Sequence, residues 1–410
     1  EPACLTEERS YFCIPPVRFH GEKESIFHIV TCPLLRNAVS NLFQGRSFQY
    51  RGVSVAFAEK KRRKAGLSKF NDGLLSHRNW RKVTLAFREL TQNHLPNCQL
   101  IKGLEYGSED VTILENGLAL VSTGLKFPGL PSNPDIPGNI QLIDLRVGVN
   151  PVVLPIKGSF DTASFNPHGI SVFTDEKDGS RYLFVVNHPH GGSQIEIFRF
   201  DEDEYTLLHI RTVKHELLQS VNDIVAVGVD SFYATNDYYF TNHILRTLEP
   251  LMSLTWCNVV YYSPNEVRSV SEGYPSANGI NISPDKRYLY VSDILRHRIG
   301  VLEIQKDHSL THIKDVEVGS IPDNIEVDPE TGDLWIGCHP NGLKFVLCNP
   351  NDPPGSEVIR IQNIHSEKPV VTVVYEDDGS VLVGSSAASP YKGKLLIGTV
   401  YHKALCCDLQ

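Results

Sequence analysis

One short pattern recurs along this chain and limits what it can fold into. A polar leader opens a strand-like run, a Gly- or Asp-rich turn follows, and a second strand-like run begins at a similar offset. Asn222-Asp223-Ile-Val-Ala-Val leads to Phe232-Tyr-Ala-Thr-Asn236. Glu109-Asp110 leads through Glu115-Asn116-Gly117 to Leu118, and His168-Gly-Ile-Ser leads through Lys177-Asp178-Gly179 to Tyr182. Asn278-Gly-Ile-Asn leads through Pro284-Asp285-Lys286 to Tyr288, and Asp323-Asn324 leads through Thr331-Gly332-Asp333 to Leu334. A sixth copy, without a polar leader, runs from Val371 through Asp377-Asp378-Gly379 to Val381. The first five leaders stand 59, 54, 56 and 45 residues apart. Short Val-, Ile-, Tyr- and Phe-rich runs between turn residues are strand chemistry. Six copies at this spacing predict an all-β chain, a six-bladed β-propeller of four-stranded blades. Helical periodicity is scarce, and its best candidates are His215–Ser220 and the stretch around Leu245–Leu254.

In such a fold the inner strands line a central channel, so leaders far apart in sequence meet in space. Glu109, Asp110, Asn222, Asp223, Asn278, Asp323 and Asn324 offer carboxylate and amide oxygens. A hard cation such as calcium takes six to eight oxygens, whereas zinc prefers His and Cys. Several carboxylates buried together without a cation would repel strongly. Each residue alone reads equally as a turn residue; the repetition favours the metal. His168 holds a leader position, and His188 ends the next strand of the same blade, where strand pairing brings it near. A His pair beside a metal is suited to activating water, although a purely structural channel His fits the same pattern. The remaining histidines, His339 among them, read as structural or surface groups. No Gly-x-Ser-x-Gly nucleophile elbow is present.

Composition excludes little else. The net charge of −9 argues against nucleic-acid binding. No apolar run is long enough to span a bilayer, and the chain opens on Glu1 rather than Met, so the lack of a targeting segment decides nothing. Residues 1–90 lack the alternation of the rest and are expected to be a poorly ordered extension of a propeller covering 91–410. They hold the basic run Lys60–Lys64, and Trp80, Val83, Leu85, Phe87 and Leu90 could form an amphipathic helix on a surface or membrane. There are nine cysteines and no Cys-x-x-Cys pair.

At these residues the chain resembles the serum paraoxonase/arylesterase family. The resemblance runs from about Leu95 to Leu409. It is carried by Gly107-Ser-Glu-Asp110, Ser164-Phe-Asn-Pro-His-Gly-Ile-Ser171, Val185-Val-Asn-His-Pro189, Val221-Asn-Asp-Ile-Val225, Ala277-Asn-Gly-Ile-Asn-Ile-Ser-Pro284, Asp328-Pro-Glu-Thr-Gly-Asp-Leu-Trp335, Gly337-Cys-His-Pro-Asn-Gly342 and Lys392–Thr399. It implies two Ca2+ ions in the channel. The catalytic ion would be held by Glu109, Asn222, Asn278, Asp323 and Asn324, and the structural ion by Asp110, Asp223 and the carbonyl of Ile170. It makes His168 and His188 the general-base pair, Cys98 and Cys407 a disulfide, and Cys338 a free thiol. Cys406, next to Cys407, leaves the disulfide partner open.

The family hydrolyses lactones, including acyl-homoserine lactones, aryl esters and, in some members, organophosphates. The resemblance places pocket walls at Leu125, Phe127, Ile294, Phe345 and Val400, and puts Ser276 and Tyr238 near the site. It implies a small-molecule lactone or ester partner, an extracellular or membrane-associated location by the secretory route, and leaves lipoprotein association and oligomerisation open. The family's apolar N-terminal anchor is not visible in residues 1–90. The sequon Asn281-Ile282-Ser283 falls on an expected inner strand, so little glycosylation is expected there. A non-enzymatic calcium-stabilised propeller that binds a protein or lipid, and a sugar lactonase of the gluconolactonase kind, are the competing readings.

Overall fold

A computed structural model describes residues 48–50, 53–55, 82–85, 88–126, 136–242, 245–246, 249–252 and 254–409. The chain divides into two units, Ile14–Leu75 and the remainder. Within the first, Phe48–Tyr50 pairs antiparallel with Val53–Val55. The basic run Lys60–Lys64, Trp80 and Phe87 lie outside the described residues.

The larger unit is a six-bladed propeller. Its inner strands are Val111–Ile113, Pro167–Thr174, Val221–Gly228, Ala277–Ile282, Ile321–Val327 and Ser385–Tyr391. Each starts a sheet that runs outward through antiparallel strands. The second blade gains a fifth strand, Ile156–Lys157, parallel to Thr206–Val213. Apolar side chains fill the wedges between neighbouring blades. Leu120, Ile140, Leu183 and Phe198 bridge the first and second, and Tyr290, Ile299, Ile336 and Ile359 bridge the fourth and fifth. Both faces of these strands are covered, so their runs are nearly continuously apolar.

The ring closes between the two ends of the unit. Gln99–Leu100 pairs with Leu405–Asp408 as the outermost strand of the sixth blade, and Cys98 is bonded to Cys407. Alternation settles the choice of partner. Neighbours on a strand face opposite sides, so Cys407 packs with Leu95 and Leu405 while Cys406 packs with Ile101 and Leu396. Cys98→Ser opens a loop spanning 309 residues and is expected to cost up to roughly 5 kcal/mol, read as a lower melting temperature. Cys406→Ala should leave the bridge intact by thiol titration.

Two expectations are corrected. Val370–Asp377 is not an inner strand: it is the outer strand of the fifth blade, paired with Ser356–Gln362. The sixth inner strand is Ser385–Tyr391, led by Ser385-Ser386. His215–Ser220 forms a turn rather than a helix, whereas the stretch around Leu245–Leu254 is helical where it is described, at Leu245–Arg246 and in the 3-10 turn Glu249–Met252. A helix appears instead at Gly342–Leu347, with Asn341 Oδ1 accepting from the Lys344 amide at 3.0 Å. Lys82 and Val83 are helical, and this helix ends in a turn at Thr84-Leu85, where Leu85 stands at φ 50°. It is tied to the propeller by Thr84 O, which accepts from Gly342 N at 2.8 Å, and by Arg88, which pairs with the fully buried Glu357.

Candidate active site in the channel

In four blades the leader sits in a break in its sheet. Between Pro167 and Ile170, Val221 and Ile224, Ala277 and Ile280, and Pro322 and Ile325, three steps on the inner strand oppose two on its partner. These are β-bulges, which bend a strand and re-aim its side chains. The irregularity is built into four blades.

The bulges leave a paired set of positions around the channel. In the second of each pair, acid and glycine alternate over four blades: Asp110, Gly169, Asp223, Gly279. The reason is contact. A Cβ on Gly169 would stand 2.3 Å from Asp223 Oδ1, and one on Gly279 would stand 2.3 Å from Asp323 O. The acids then reach the neighbouring blade. Asp110 Oδ2 accepts from Ile170 N at 2.7 Å, and Asp223 Oδ2 accepts from Ile280 N at 2.7 Å. Across the channel Asn324 Nδ2 donates to Glu109 O and Glu109 Oε1 at 2.9 and 3.0 Å. Ser386 Oγ donates to Glu109 O at 2.6 Å.

All eight expected oxygen donors and ligand positions are buried, from Asn324 at 2% exposed to Asn278 at 8%. Glu109 Oε2, Asn222 Oδ1, Asn278 Oδ1 and Asn324 Oδ1 lack a hydrogen-bond partner among the described residues. Buried polar atoms rarely go unpartnered, and these four acceptors, one from each of four blades, have the chemistry that a cation would satisfy. Electrostatics agrees. Burial pushes Asp110 up to about 7, with Glu109 adding to it, and pushes Asp223 well above the ordinary carboxylate range, with Asp110 adding to it. Burial raises Asp323 as well, against the pull of His339. Among the described residues no Lys or Arg pairs with any of these acids. Four acids so placed fit calcium, the hard, oxygen-seeking ion.

His168 lies against this wall, its Nε2 3.5 Å from Glu109 Oε1. Its Nδ1 is 2.9 Å from His188 Nε2, and His188 Nδ1 is 3.2 Å from Gly192 O. The carbonyl can only accept, so His188 donates from Nδ1 and accepts at Nε2. His168 must then donate from Nδ1, which leaves the lone pair of its neutral ring on Nε2, facing the channel. Burial, the His168 charge and Arg246 hold His188 down to about 3, so it stays neutral. Burial opposes charge on His168, but Glu109, joined by Asp237 and Asp323, raises its pKa on balance.

Two site residues escape a reading of leaders alone. His339 donates or accepts through Nε2 at 2.8 Å from Asp323 Oδ2 and stacks on Phe345 at 4.0 Å. Asp237 accepts from Ser220 Oγ at 2.6 Å and from Asn222 Nδ2 at 3.4 Å, which turns the free amide oxygen of Asn222 away from it. Both stand at the ends of second strands, as His188 does; that shared position was the available signal. Of the expected pocket walls, Leu125 and Val400 are buried, Ile294 and Phe345 half-buried, and Phe127 lies outside the described residues. Cys338 is a free, buried thiol whose pKa burial raises. The sequon residue Asn281 spends its amide on Ile325 O at 2.7 Å.

The family described as Arylesterase matches residues 89–409. The chain belongs to the arylesterase family. Serum paraoxonase/arylesterase 2 of Homo sapiens is 58% identical over 345 residues, 84% of this chain and 96% of that protein. The same enzyme of Gallus gallus is 57% identical over 82% of this chain and 94% of its own. Serum paraoxonase/arylesterase 1 of Homo sapiens is 56% identical over 79% and 92%. Among solved structures, a gluconolactonase from Xanthomonas campestris shares 14% identity with this arylesterase at a TM-score of 0.48, over 79% of this chain and 96% of that one. No helix among the described residues of this arylesterase is long and apolar enough to cross a membrane.

Proposed function

We propose that this chain is a calcium-dependent ester hydrolase that opens lactones, acyl-homoserine lactones among them, and cleaves aryl esters. Membership of the arylesterase family supports the reaction class. The observation that carries the reading is the set of four unpartnered buried oxygens beside a histidine pair. Glu109, Asn222, Asn278, Asp323 and Asn324 would hold one ion, and Asp110, Asp223 and the Ile170 carbonyl a second, structural one. When bound, the first ion supplies a positive charge that polarises the ester carbonyl and stabilises the oxyanion. His168 accepts the proton of the attacking water at Nε2. His188 fixes the tautomer that makes this possible and, staying neutral, accepts from His168 Nδ1 once the charge forms. Leu125, Ile294, Phe345 and Val400 give the alcohol and acyl parts an apolar wall. The bridge Cys98–Cys407 supports a secretory-route, extracellular or membrane-associated location, since such bridges persist in oxidising compartments.

A substrate panel tests this reading. Lactones from sugar to long-acyl, with aryl esters beside them, are assayed in saturating calcium. Turnover should favour apolar lactones and aryl esters. A preference for sugar lactones would shift the reading to gluconolactonase-like chemistry, and no turnover on any member would leave the channel a structural calcium site.

A further inference from the structure

We propose that Asn166 is a positioning and specificity-determining residue, a clamp that ties the pocket wall at Leu125-Lys126 to the histidine pair. The proposal rests on the hydrolase reading above. Asn166 lies two residues before His168 and is 7% exposed. Its side-chain amide pairs with both polar groups of one peptide unit's residue: Lys126 N donates to Oδ1 at 2.7 Å, and Nδ2 donates to Lys126 O at 3.0 Å. The same Nδ2 donates to His188 O at 3.3 Å, and His188 N donates to Asn166 O at 3.1 Å. The side chain therefore does for Lys126 what a neighbouring strand would do, at a point where no strand runs among the described residues.

The clamp is itself anchored. Asn166 N donates to Asn187 Oδ1 at 3.0 Å, and Asn187 Nδ2 donates to Glu196 Oε1 at 2.9 Å. Glu196 is fully buried, and its other oxygen takes His209 Nε2 at 2.9 Å and Thr212 Oγ1 at 2.6 Å. A buried network with every member satisfied is rigid. The rigidity passes from the second blade through Asn166 to two places: the backbone of His188 and the backbone beside the buried wall residue Leu125. Only an amide fills this role. Ala removes three bonds. Asp turns a second acceptor toward Lys126 O and His188 O, two groups that can only accept.

The test compares Asn166→Ala and Asn166→Asp with the parent enzyme, all loaded with calcium, by amide hydrogen exchange and by kcat/KM on a long-acyl and a short-acyl lactone. Both variants should melt cooperatively. The Lys126 amide should exchange at least about ten-fold faster, and the long-to-short ratio of kcat/KM should fall at least about ten-fold, carried mostly by KM for the long substrate. An unchanged ratio, or equal losses on both substrates, overturns the specificity role; unchanged exchange at Lys126 overturns the clamp. If the Ala variant does not fold, the Asp variant decides alone. If the parent hydrolyses no lactone, the hydrolase reading fails while the exchange result still judges the clamp.

Discussion

Exhaustive chelation is expected to abolish hydrolysis, lower the melting temperature by about 10 °C, and be reversed by added calcium. A ligand present at a thousand-fold excess over Kd stabilises by about 4 kcal/mol, which for a domain of this size is a shift of that order. The loss should also depend on pH in a defined direction. In the calcium-free chain Asp110 is raised to about 7, and Asp223 and Asp323 are raised too. The folded state then binds more protons than the unfolded state, so stability falls as pH climbs through the raised values. His168, also raised, has the same sign. His188 is lowered and acts oppositely, but only below its ordinary 6.5. Melts of chelated protein between pH 6.5 and 8 should therefore move to lower temperature as pH rises, while those of the loaded protein should not. A calcium-free melting temperature that is flat or rises over that range would overturn the assignment of these acids to the ion sites. Full activity after chelation would remove calcium from the mechanism.

His168→Gln is expected to lower kcat/KM on a good lactone by about 10²-fold or more. The calcium-dependent melt should stay near the parent's, because the amide still reaches His188. Glutamine can donate to His188 Nε2, yet it has no lone pair that takes a proton near neutral pH. His188→Gln should cost less, since His168 keeps its base and loses only the partner that fixes its tautomer. The pH profile separates the two: the rising limb of kcat/KM should vanish in His168→Gln and shift in His188→Gln. Unchanged turnover in His168→Gln would leave charge stabilisation as the whole of the catalysis.

The leaders were legible in the sequence because they are chemically odd. Asn222-Asp223 and Asp323-Asn324 put carboxylates and amides where a strand would bury carbon. The sixth blade hid for the opposite reason. Ser385-Ser386 is small and uncharged, whereas Val370–Asp377 has alternation and a Gly379 turn, so an outer strand looked like an inner one. Only pairing between distant segments separates them, and local pattern does not carry it. The helix Gly342–Leu347 spans six residues, too few for helical periodicity to register, although Asn341 offered a cap. His339 and Asp237 lay at second-strand ends, where the logic that found His188 would have found them. Asn166 was in view inside Phe165-Asn166-Pro167-His168, but its role depends on Lys126, forty positions away in sequence.

The recurring bulge has a consequence for how such a chain can change its length. Deleting one residue from a bulged pair would restore an even ladder, leave the later pairs of that inner strand in register, and remove one of the two adjacent channel positions. The channel therefore depends on the count of residues at these positions as well as on their identity. The rim carries no such constraint, which is why the leaders stand 59, 54, 56 and 45 residues apart without disturbing the ring. Insertions and deletions across relatives are expected to gather in the outer strands and turns, and to be absent from the two-residue steps that face the axis.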